Sequence, residues 1–81
     1  MPYIHPDDRP SLDTGDRNPE TVGDLNYVIT QIIRRFIKER GTSYTTLNGV
    51  VGVLECAKLE LYRRLVAPYE DSKITENGDV Y

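Results

Sequence analysis

An 81-residue chain with one cysteine and no tryptophan is at most one small domain, and folding such a chain buries only about 60% of its unfolded surface. Cys56 has no partner for an intrachain disulfide, and Cys56 and His5 are too few soft ligands for structural zinc, which leaves oligomerisation as the way to stabilise so small a core. No apolar run nears the roughly 20 residues of a membrane span. The first ten residues lack the apolar stretch of a secretory signal, and a lone cysteine fits a reducing cytoplasm.

Charge is segregated along the chain. Residues 1–20 and 68–81 each carry a net −3, and residues 21–67 carry +3. Either the acidic ends are solvated or fold back on the basic middle, or the basic middle meets an anion. Overall acidity argues against general nucleic-acid binding, which neutralises phosphate.

Residues 1–18 hold Pro2, Pro6 and Pro10, with Gly15 and Asn18. Proline removes a donor and disfavours helix in the preceding residue, so this stretch is predicted to be an extended, acidic arm.

A first helix is predicted over 19–40. Asn18 before Pro19 is one possible start, and Thr21 with Asp24 three residues later, resembling a capping box, is another. Leu25, Val28, Ile29, Ile32, Ile33, Phe36 and Ile37 then follow the spacing of one helical face. Lys38 and Arg40 suit the last turn, and Gly41 suits the residue beyond it.

A second helix is predicted over 43–67, capped by Thr42 or Ser43 and stopped before Pro68. The short connection predicts an antiparallel hairpin. Leu47, Val50, Val51, Leu54, Ala57, Leu61 and Leu65 form one broad face. Gly49, Gly52, Val53, Cys56 and Leu59 lie on the other side. A helix apolar on two faces is a buried helix, and glycines cost about 1 kcal/mol each inside one, so this second face is read as an oligomer interface. Frayed first turns are the competing explanation. Residues 68–81 read as a second acidic arm, with a turn at Asn77-Gly78. The expected fold is therefore all-α: a two-helix hairpin with extended arms at both ends, assembling as a homo-oligomeric helical bundle.

No catalytic residues, metal site or cofactor are predicted. No glycine-rich phosphate loop is present, His5 lies in the proline-rich arm, and Cys56 reads as a small hydrophobe. Tyr62, Arg63, Arg64 and Tyr69 form the best ligand-binding constellation, to which Tyr27 and Tyr44 are possible additions. Guanidinium groups bind phosphate bidentately and tyrosines stack on bases. Against this, Arg63 at i+3 from Glu60 also reads as an ordinary ion pair, with the tyrosine rings buried between subunits.

The stretches Leu25–Thr30, Gly52–Arg64, Pro68–Asp71 and Asn77–Tyr81, with the opening Met1-Pro2-Tyr3-Ile4 and Asp8-Arg9, resemble a family of short uncharacterised proteins from bacteriophage and prophage genomes. The resemblance covers most of the chain and brings no catalytic motif. It implies a phage product in the cytoplasm of an infected bacterium, and small phage proteins of that kind bind host factors or sequester nucleotide signals of host immunity. Three functions are thus open. One is a non-catalytic protein sequestering a nucleotide-like small molecule. A second is an interaction factor that inhibits or adapts a host or phage protein. The third, a nucleotide hydrolase, needs metal-binding carboxylates, for which Asp24, Glu39, Glu55 and Glu60 are the only helical candidates.

Overall fold

The computed structural model describes all 81 residues, and all of its regular structure is helical, without strands. A single 3-10 turn, Pro6–Asp8, leads into α1 (Arg9–Asp13). Then come α2 (Val22–Arg40), α3 (Tyr44–Leu61), a wide π turn (Tyr62–Val66) and α4 (Ala67–Asn77). The chain forms two compact units, Met1–Thr46 and Leu47–Tyr81.

In the N-terminal unit the predicted extended arm is instead folded. Pro6 and Pro10 sit where a missing N–H costs nothing, opening short helical turns. His5 caps the first turn through its Nδ1, which accepts the Asp7 N–H at 3.1 Å. Thr14 ends α1 by donating its N–H to the Pro10 carbonyl at 3.0 Å, and Gly15 then takes φ +79°, a conformation that favours glycine. α1 packs on α2, and the residues buried there are Leu12, Asp24 and Tyr27.

α2 starts at Val22, later than predicted from Pro19. The Thr21 hydroxyl accepts the Asp24 N–H at 3.0 Å and so satisfies one of the free donors of the first turn. The Asp24 carboxylate departs from a capping box: it accepts the N–H of Glu20, one residue before the cap, at 3.2 Å. α2 ends as predicted, with Gly41 at φ +93° and its N–H donating to Ile37. Along its apolar stripe only Val28, Ile33 and Ile37 are half-buried. Leu25, Ile29, Ile32 and Phe36 remain exposed.

In the C-terminal unit the predicted stop at Pro68 does not occur. Ser43 caps α3, its Oγ accepting the Thr46 N–H at 3.1 Å. Helical structure then runs on to Asn77. In a regular α-helix Pro68 would clash with the Arg64 carbonyl and leave it unbonded. The backbone widens by one residue over Tyr62–Val66, and Ala67 N–H donates to the Tyr62 carbonyl five residues back. The predicted C-terminal arm is therefore mostly α4. Gly78, at φ +88°, ends it by donating to Ile74 at 2.8 Å, and only the last residues lie outside it. No residue of α3, the π turn or α4 is buried.

Candidate functional site

Of the four residues predicted from the sequence, Tyr62, Arg63 and Arg64 lie in the π turn and Tyr69 in the first turn of α4, and no contact joins their side chains to one another. Tyr62 Oη donates to Glu70 Oε1 at 2.8 Å across the wide turn, and this bond to a carboxylate is the main reason its phenol is pushed above its ordinary 10.0. Arg63 grips Glu60 through Nη2, at 2.8 and 2.9 Å from the two carboxylate oxygens, so the ion-pair reading of Arg63 holds within the chain. Tyr69 lies beneath Lys73, whose Nζ is 5.5 Å from the ring centroid, and Lys73 also donates to Glu76 at 3.1 Å. Arg64 has no side-chain partner and is exposed. Tyr62 and Tyr69 keep 51% and 62% of their surface open. The cluster is thus an exposed surface on one segment of helix and is not a closed pocket.

Tyr27 does not join it. This ring is buried in the N-terminal unit, with its hydroxyl donating to Asp13 at 2.8 Å and the Arg9 guanidinium 5.7 Å above the ring. Burial and the Asp13 carboxylate together raise its pKa. Tyr44 is exposed at the start of α3. The predicted interface residues Gly49, Gly52, Val53, Cys56 and Leu59 are all exposed, and a Cβ added at Gly49 or Gly52 would meet open space. Nothing inside the chain explains why those two positions lack side chains.

A polar network missed in the sequence sits at the junction of α1 and α2. Arg17 donates through Nη1 to Asp24 Oδ2 at 2.8 Å, through Nε to Ser11 Oγ at 2.9 Å, and through Nη2 to the Asp8 carbonyl at 3.3 Å. Arg9 holds the Ile4 carbonyl with two donors, at 2.9 and 3.1 Å. The Arg17 contact, then the Glu20 N–H, hold the Asp24 carboxyl below its ordinary 3.8. The only sequence signal for this network is the placing of two arginines among the acidic residues of 1–20.

No three histidine, cysteine, aspartate or glutamate side chains gather into a group that could hold a metal ion. No helix is long and apolar enough to cross a membrane.

The molecule is thus an all-helical protein with a small polar-latched N-terminal unit and an exposed, largely apolar helical C-terminal unit. It belongs to the family described as Domain of unknown function (DUF6899), whose pattern matches residues 1–80. No curated protein and no solved structure matches the chain.

Proposed function

We propose that this is a non-catalytic binding protein that pairs α2 and α3 as an antiparallel hairpin, self-assembles through α3 into a helical bundle, and takes up a nucleotide-like small molecule at the assembled surface. One observation supports assembly above all. Val51, Val53, Leu54, Leu59, Leu61 and Leu65, on two faces of the helix and π turn, are each 44% or more exposed, and so much exposed apolar surface supports a contact with another molecule. At about 25 cal/mol per Å2 of apolar surface removed from water, covering it offsets the weakness of so small a core. The glycines at 49 and 52 allow another backbone to approach closely.

The ligand assignment rests on the exposed Arg64, Tyr62 and Tyr69, with Arg63 released from Glu60 on binding. Assembly multiplies this cluster. Resemblance to phage proteins adds the finer reading of a cytoplasmic sponge for a nucleotide-derived immune signal. The second reading, an interaction factor that inhibits or adapts a host or phage protein, is favoured by a different observation. Arg63 and Tyr62 already have carboxylate partners within the chain, and apolar surface outweighs free charge on this unit.

A native mass spectrum of the purified protein tests both parts. A discrete oligomer with extra nucleotide-sized mass, lost in Arg63→Ala/Arg64→Ala at unchanged helicity, is the expected result. A bare oligomer moves the assignment to a protein partner. A monomer at micromolar concentration overturns self-assembly.

A further inference from the structure

The chain holds ten lysines and arginines, six of them engaged within the chain. Arg17, Lys58, Arg63 and Lys73 each have a carboxylate within ion-pair distance. Arg9 is spent on the Ile4 carbonyl and the Tyr27 ring, and Arg40 lies 5.5 Å from the centroid of Phe36. Arg34, Arg35, Lys38 and Arg64 are left, and the first three lie within little more than one turn of α2. Between Leu25 and Leu54 the sole carboxylate is Glu39, and it pairs with none of them. Arg34 has a single side-chain bond, a long one of 3.3 Å to Gln31 Oε1.

These residues share a face. Gln31, Arg34, Arg35 and Lys38 follow the i, i+3, i+4, i+7 spacing of a helix. With Ile37, and with Thr42 just past the helix end, they line an open depression of about 420 Å3. Arg34 and Lys38, at i and i+4, repel one another. Helix polarity accounts for cations in the last turn, where Lys38 and Arg40 lie, but its influence fades beyond that turn and so does not explain Arg34 and Arg35. A cluster of uncompensated like charges around a depression, in a protein of net charge −3, is arranged for an anion.

We propose that this face of α2 binds a compact anion of two or three linked phosphates. Arg34, Arg35 and Lys38 carry the charge recognition, and Thr42 and Gln31 supply neutral hydrogen bonds. The site uses none of the residues assigned to the ligand at Tyr62, Arg63, Arg64 and Tyr69, and it stands whether or not that assignment does.

Calorimetric titration of the full chain with inorganic tripolyphosphate at low salt tests it. Saturable binding is expected, weakened on the order of 100-fold or more in Arg34→Gln/Arg35→Gln/Lys38→Gln, since three charge-assisted contacts go, and unchanged in Lys58→Gln, whose charge is already paired with Glu55. Absence of saturable binding overturns the proposal, and so does full binding by the triple variant. Should that variant lose helicity, the wild type decides through amide shifts. Tripolyphosphate-induced shifts over 31–42 support the site, and shifts confined to 60–70 overturn it. A duplex DNA bound more tightly than tripolyphosphate, through the same three residues, also overturns it, in favour of nucleic-acid contact.

Discussion

Arg17 and Asp24 meet at 2.8 Å across the turn that joins α1 to α2, with the Asp24 side chain 9% exposed. The pair closes the N-terminal segment onto the first turn of the long helix, and Ser11, Asp8 and Glu20 bond to the same two side chains. Arg17→Ala should therefore release residues 1–20 while leaving α2 intact. Amide exchange over those residues should rise to near the unprotected rate, with a lower melting temperature for the N-terminal unit. Unchanged protection would remove the pair as the latch.

The same carboxylate predicts an acid limit. Its pKa in the folded chain lies below 3.8, so the folded state gains stability wherever the unfolded carboxylate is ionised. That gain is fully present above the ordinary carboxylate range and is lost as pH falls through the folded value. Tyr27, raised above 10.0, sets an alkaline limit of opposite sense: its contribution is present below 10 and lost as pH rises through the folded value. Thermal melts across pH should show both limbs. Asp24→Asn should flatten the acid one, and an acid limb of equal size in that variant would contradict the assignment.

Leu12 is the one buried aliphatic residue, at 6% exposure. Leu12→Ala should cost about 2–5 kcal/mol, the usual range for buried leucine, and in a core this small that should abolish the cooperative part of a urea transition followed by the ring proton signals of Tyr27. A loss under about 1 kcal/mol would mean that α1 is not an integral part of the unit.

Pro68→Ala restores a donor opposite the Arg64 carbonyl. The π turn should then revert to α-helix, with the new amide at position 68 protected from exchange and the Tyr62 to Glu70 bond broken as their relative rotation changes. Stability should rise by about 1–3 kcal/mol, up to the cost of an interior proline. Fast exchange of that new amide would show that the wide turn has another cause.

Gly52→Leu adds bulk where the chain itself offers none. If α3 is the seam of an assembly, light scattering should show a lower mass, with helicity reduced in step. An unchanged mass would exclude this face.

Helices are legible where a 3.6-residue pattern meets a clear cap. Thr21, Gly41 and Ser43 end or begin helices as their side chains or φ values require. The N-terminal fold is not legible, because it depends on Arg9 and Arg17 finding carbonyls and Asp24 five to nine residues away, and no periodic pattern encodes such pairings. Prolines mislead at both ends. Pro6 and Pro10 read as helix breakers but begin helical turns, and Pro68 reads as a stop where the backbone absorbs it by widening. At the candidate site, the nearness of Tyr62, Arg63 and Arg64 is plain from the sequence. The Glu60 partner of Arg63 follows from its i, i+3 spacing, whereas the Glu70 partner of Tyr62 takes the geometry of the π turn to see.

The π turn also limits what can lie along α3. One extra residue per turn shifts every later side chain by roughly the 100° that separates neighbours on a helix. A partner helix following a straight seam along α3 must leave it at Tyr62, after about 27 Å at 1.5 Å per residue, and would find a different stripe beyond. The wide turn therefore works as a ruler: it sets the length of the longest uninterrupted helix–helix contact this half of the chain can make, and it sends α4 off that seam to face something else.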